Sequence, residues 1–176
     1  MIELNPITQE ELFTNIYLSF EGDNDLTERF TPIRRTFQQT VSYIYGEVVK
    51  TIEDPVYEGD VHLFQVTCQI GEKRPVIGYI VTIENAERPH MLLSFGVNIK
   101  YRTWPILQLW LQAIKDLLGE PYYTCLWNAN TRAINFFKKN GFTIFDDKDK
   151  TFKYVVSNVE LLKETKICQL MVESRS

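Results

Sequence analysis

The 176-residue sequence predicts an α+β fold, a single domain in which a mixed, mostly antiparallel sheet is flanked by helices. Three observations carry this expectation. Two helical patterns open the chain, and three strand-like runs follow with only short turns between them, as in an antiparallel meander. A strand–helix–strand step then occupies residues 90–127, and that step requires a parallel pair joined by a crossover helix. A short helical block at 130–142 leads into two last strands.

Each element has its own signal. Thr8-Gln9-Glu10-Glu11 is a capping box, in which threonine and glutamate side chains satisfy each other's backbone N–H groups. Behind it Leu12, Phe13, Ile16, Tyr17 and Phe20 fall on one helical face. A polar break follows at Glu21-Gly22-Asp23-Asn24-Asp25. Thr31-Pro32 reads as the N-cap and first residue of a second helix. Its apolar stripe is Ile33, Phe37, Val41, Ile44 and Val48, and Asp54-Pro55 is its end. Strands are expected over 61–70, 75–84 and 90–99, with turns at 71–74 and 85–89. Residues 105–118 return to helical spacing through Ile106, Leu109, Trp110, Ala113, Ile114 and Leu117, and Gly119 closes them. Residues 121–127 read as a buried strand. Strands at 142–145 and 152–156 flank the turn Asp146-Asp147-Lys148-Asp149. The domain is expected to span 1–156. Residues 157–176 form a C-terminal extension whose apolar positions (Val159, Leu161, Leu162, Ile167, Leu170, Val172) have no clear period, so it fits an extra strand, a helix or an arm.

Composition narrows the function classes. At 44% hydrophobic and 24% charged, the chain is expected to be globular and to bury roughly two thirds of its unfolded surface. Net charge is −4 and no Lys/Arg run is long, which argues against nucleic acid or a membrane surface as partner. Cys68, Cys125 and Cys168 lie far apart in apolar runs and read as reduced thiols of a cytoplasmic protein. The N-terminus does not read as a signal peptide, and the apolar stretches are too short to span a membrane. His62 and His90 lack partners at ligand spacing, so no metal site is expected. The acidic turn at 146–149 lacks the spacing of a calcium loop.

The block Asn130-Thr131-Arg132-Ala133-Ile134-Asn135-Phe136-Phe137-Lys138-Lys139-Asn140-Gly141-Phe142 resembles the N-x-x-A-x-x-F-Y-x-x-x-G-F segment of the GNAT N-acetyltransferase superfamily. Every marked position matches except the tyrosine, here Phe137. With the element order, the resemblance covers roughly residues 2–156 and implies a GNAT-like fold. In that family the strand before the central helix ends in V-x-P-x-Y-R-G-x-G-x-G/A. The stretch from Val97 through Tyr101, Arg102, Thr103, Trp104, Pro105 and Ile106 to Leu107 lies in register with it. The resemblance implies Val97, Arg102 and Asn130 as cofactor-binding residues, the backbone of Val97 being the part that meets an acyl-pantetheine arm in relatives. Acetyl-CoA is the cofactor it implies if the chain is active.

The match departs from the family where chemistry depends on it. Backbone N–H groups at a helix N-terminus hold a pyrophosphate there, and glycines let it come close. Pro105 and Leu107 occupy the glycine positions. Proline has no N–H, and both side chains add bulk. Phe137 has no hydroxyl with which to protonate a departing thiolate, so the catalytic residue is unknown. Where relatives often carry a glutamate, residues 92–96 read Leu-Leu-Ser-Phe-Gly. Tyr79, Tyr101, Tyr122, Tyr123, Glu84 and His90 are possible substitutes, and each also reads as a core aromatic, strand end or turn. Trp104, Trp110 and Trp127 flank the expected cleft as core or interface anchors.

Two functions fit. One is a degenerate GNAT-fold protein that needs no cofactor and acts through protein partners. In its support, Leu126-Trp127-Asn128 with Asn130, Thr131, Ile134, Phe136, Lys138 and Gly141 is similar to GNAT-like internal virion or head-assembly proteins of short-tailed bacteriophages. That resemblance implies phage structural proteins as partners, and the host cytoplasm or the virion as location. The other is an active acetyl-CoA-dependent N-acetyltransferase acting on an unidentified amine.

Overall fold

The expected capping box forms. The Glu11 N–H donates to Thr8 Oγ1 at 3.2 Å and the Thr8 N–H donates to Glu11 Oε1 at 3.2 Å. It opens α1 (Gln9–Phe20), whose Leu12, Ile16 and Phe20 are buried. These positions come from a computed structural model that describes residues 1–30, 33–54, 59–85 and 89–162. Ahead of α1 lies β1 (Ile2–Pro6), a strand with no expectation behind it. Within the stretch after the polar break, α2 (Leu26–Phe30) forms one short turn of helix. The expected cap Thr31-Pro32 lies outside the described residues. The next helix, α3 (Phe37–Glu53), begins instead at a second capping box, where the Gln39 N–H donates to Thr36 Oγ1 at 3.2 Å. Ile33 therefore precedes the helix and is exposed. Val41, Ile44 and Val48 keep the stripe assigned to them.

Three long strands follow: β2 (Asp60–Cys68), β3 (Val76–Glu84) and β4 (His90–Val97). A 3-10 turn at Ile99–Tyr101 takes the place of the last residues expected in β4. Then come α4 (Trp104–Leu118), β5 (Tyr122–Trp127), α5 (Thr131–Lys139), β6 (Thr143–Asp146) and β7 (Phe152–Val156). Part of the expected extension is helical, as α6 (Val159–Leu162); of its other apolar positions, Ile167, Leu170 and Val172 lie outside the described residues. Proline stands in the first turn of α4, where its missing N–H has no intrahelical partner to lose, and Gly119 at φ +69 ends the helix.

The strands form one sheet in the order β1-β2-β3-β4-β5-β7-β6. Every neighbouring pair is antiparallel except β4–β5. α4 and α5 cover one face, with Trp110, Ile114 and Phe137 packed on Ile77, Ile80 and Leu92. On the other face α1 and α3 set Leu12, Ile16, Val41 and Ile44 against Tyr79 and Val81. Because β3 is covered on both sides, it reads as a nearly continuous apolar run rather than an alternating one. Gly78 is needed where β3 meets the end of β4: a Cβ there would lie 2.0 Å from the Gly96 carbonyl oxygen.

Candidate functional site: a cleft where two parallel strands part

β4 and β5 pair only at their beginnings, His90 with Tyr122 and Met91 with Tyr123. Beyond that the strands diverge. The Asn98 N–H donates to the Ile77 carbonyl at 2.7 Å, so in the alternation of the antiparallel ladder Val97 and Phe95 turn their backbone groups away from β3 and into the gap. A cleft of about 300 Å³ lies where the gap opens, between the end of β4 and the helices α4 and α5, with Phe20, Phe95, Trp110 and Phe136 among its walls. A second cavity of about 260 Å³ lies beside it toward α3 and carries Glu47, Tyr43, Ser94 and Trp127. Arg29, Phe30, Phe95 and Asn130 line both, so the two form adjoining chambers.

One carboxylate organises the mouth of the cleft. Asp23 follows α1, and its side chain is 1% exposed. Arg102 forks onto it, Nη1 donating to Oδ1 at 2.9 Å and Nη2 to Oδ2, while its Nε donates to the Val97 carbonyl at 2.7 Å. Arg29 Nη2 donates to Asp23 Oδ2 at 2.8 Å, and Arg132 Nη1 stands 3.6 Å from Oδ1. Asp25 joins the group, 3.7 Å from Arg29 Nε and 3.1 Å from Arg132 Nη2. Burial pushes the Asp23 carboxyl up, but the hydrogen bond from Arg102 and the charges of Arg29 and Arg102 outweigh it and hold the group below the usual carboxylate range. Burial also lowers Arg29, against the opposing pull of Asp23.

The structure brings together the three residues implied for cofactor binding. Val97, Arg102 and Asn130 all line the cleft. Each already has a partner within the chain. The Val97 carbonyl and the Arg102 guanidinium bond each other, and Asn130 caps α5 through Ala133 at 3.4 Å. Leu107 projects into the cleft, while Pro105 sits in the exposed first turn of α4. Phe137 is fully buried among Phe95, Trp110, Phe136 and Phe142, with ring centroids 4.9–6.4 Å away.

None of the possible acid or base substitutes reaches either chamber. Tyr79 is buried with its hydroxyl on Ser94 at 2.7 Å, and burial pushes that hydroxyl far up. Burial, then the charge of Glu120, does the same to Tyr122. Tyr101 packs against the α4 side of the core, and Tyr123 against Phe145 and Val156. Glu84 lies 3.5 Å from His62, and His90 accepts from the Asn85 N–H at 3.0 Å, at the opposite end of β4 from Val97. Cys125 lines the second chamber, but burial and then the charge of Asp147 push its thiol up to about 12. The tryptophans separate: Trp110 is core, Trp127 lines the second chamber, and Trp104 is 60% exposed.

Sequence reasoning missed Asp23, Arg29, Arg132 and Glu47. The first two lay in or beside a stretch read as a polar break, and the pair Asp25 and Arg29 at helical spacing was the available sign of order there.

No family model and no curated protein matches the chain. Solved structures do. An acetyltransferase from Thermus thermophilus aligns over 89% of this chain and 96% of its own at a TM-score of 0.58 and 18% identity. The PaiA N-acetyltransferase of Thermoplasma acidophilum, solved with coenzyme A, aligns over 88% and 98% at 0.59 and 16% identity. The spermidine N-acetyltransferase of Vibrio cholerae, solved with CoA and spermine, aligns over 88% and 93% at 0.54 and 12% identity. The chain has the GNAT fold.

Proposed function

We propose that this GNAT-fold chain works without an acetyl-CoA cofactor and acts through contacts with protein partners. One observation carries the reading: Arg102 spans from the Val97 carbonyl to Asp23, so the backbone acceptor and the cation that a pantetheine arm and its diphosphate would use bond each other. The turn beyond Arg102 agrees with it, since Pro105 withholds an N–H from the anion cradle and Leu107 fills space in the cleft. The residues present therefore do not fit the cofactor, and no reaction step is assigned through it. Exposed Trp104, at the start of α4, and Leu109, farther along it, offer apolar surface for docking. The resemblance around Trp127 and Asn130 implies phage structural proteins as the partner class. A ligand that binds only the native state must raise its melting temperature, so titration with coenzyme A at millimolar concentration tests the cofactor claim. No rise is expected. A saturable rise, or turnover of acetyl-CoA with any amine, would overturn the proposal. Co-purification from phage-infected cells tests the partner class.

A second reading rests on the pair of adjoining chambers. Such an arrangement suits a thioester in one and an amine near Glu47 in the other, as an active N-acetyltransferase requires. That reading needs Arg102 to leave Asp23. Coenzyme A protection of the native chain is the result that would favour it.

A further inference from the structure

Three arginines from three separate elements converge on a single point at the mouth of the cleft. Arg29 comes from α2, Arg102 from the turn after β4, and Arg132 from the first turn of α5. A convergence of guanidinium forks is the arrangement that holds phosphate, because their planar donors match its oxygens. Here the point is occupied by a carboxylate of the chain itself. Asp23 does not belong to either wall of the cleft; it hangs from the corner after α1, its own N–H held by the Phe20 carbonyl at 3.0 Å. The corner supplies the carboxylate, while the three arginines line the cleft.

We propose that Asp23 is the specificity-determining residue of the cleft: its carboxylate fills the seat that Arg29, Arg102 and Arg132 would otherwise offer to a ligand's diphosphate. This deepens the cofactor-free reading and rests on it. With Asp23 in place, three cations face two aspartates, Asp23 and Asp25, and each Asp23 oxygen is already engaged. A diphosphate entering the cleft would have to expel a buried carboxylate from a bidentate pair. Without the Asp23 side chain, only Asp25 opposes three guanidinium groups, and the seat becomes a site for a polyvalent anion. Apart from Asn130 the remaining walls are apolar, so an uncharged apolar group meets no such barrier.

The test is Asp23→Ala, which removes both the charge and the side chain that fills the seat, titrated with inorganic pyrophosphate against sodium chloride of equal ionic strength. Saturable stabilisation is expected for the variant, a rise in Tm of roughly 5–10 °C at a hundredfold excess over Kd, and none for the native chain. If Asp23→Ala does not fold in chloride, Asp23→Ala with Arg132→Gln replaces it. That pair restores the charge balance and leaves Arg29 and Arg102, and pyrophosphate is again expected to raise its Tm. A folded variant that pyrophosphate leaves unmoved overturns the role of Asp23. So does a native chain that responds as strongly as the variant. Coenzyme A is run in parallel: protection of the native chain by coenzyme A sinks the cofactor-free reading, whereas unresponsive native and variant chains sink only the assignment to Asp23.

Discussion

Asp23 is the residue on which stability and pH response converge. Neutralising one side of a buried ion pair leaves the other charge uncompensated, so Asp23→Asn is expected to cost about 3–5 kcal/mol in denaturant unfolding. Its pH dependence has a definite sign. The folded-state carboxyl titrates below its ordinary value, so its stabilisation is complete above the unfolded pKa and is lost as pH falls through the folded one. The stability gap between the native chain and Asp23→Asn should therefore close in acid. A gap unchanged from neutral pH to well below the carboxylate range would contradict this account. Phe137 shows the opposite side of residue-scale reasoning. Its place in the motif marked a missing hydroxyl, while the structure shows what the ring does instead: it fills the core between α5, α4 and β4. Phe137→Ala should cost about 3–5 kcal/mol, read from the urea midpoint, through lost burial and the cavity left behind. Motif register was enough to name Val97, Arg102 and Asn130, and folding sets all three in the lining of the cleft. Asp23 was not legible, because its significance depends on arginines six, 79 and 109 positions further along the chain, brought to it only by folding.

At the scale of elements, periodicity placed those whose stabilising face is contained in their own sequence. α1, α3, α4 and α5 each carry an apolar stripe and a recognisable cap or stop. β1 was not legible because five residues containing a proline have no strand preference of their own, and pairing with β2 from Ile2–Cys68 to Pro6–Phe64 makes them one. α2 is too short for a period to show. The true start of α3 was written in the sequence as Thr36 and Gln39, a box that the stronger-looking Thr31-Pro32 displaced. Thr36→Ala should cost about 1 kcal/mol of stability and fray the first turn, visible as faster amide exchange at Gln39. Gly78→Ala tests the junction of β3 and β4. Its methyl would enter the Gly96 carbonyl, so the loss should be about 3 kcal/mol or more, and a well-tolerated alanine would refute the close approach.

Over the whole molecule, the parting of β4 and β5 is what turns a packed sheet into a sheet with a site. Hydrogen exchange should report it: the Phe95 and Val97 amides, which face the gap, are expected to exchange faster than those of Tyr79 and Val81 in doubly covered β3. Equal protection would mean that the gap is closed in solution. Element order determined the centre of the architecture, since a meander followed by a strand–helix–strand step leaves few ways to bury every apolar stripe, and pairing alone added the edge strand β1. The block at 130–142 and the run from Val97 to Leu107 likewise determined where a cleft would lie and which cradle-forming glycines it lacks. The tertiary structure alone decided what stands at its mouth. A carboxylate and three guanidinium groups scattered along the chain attract one another strongly only after folding has removed the water between them, and no local pattern records an attraction of that kind.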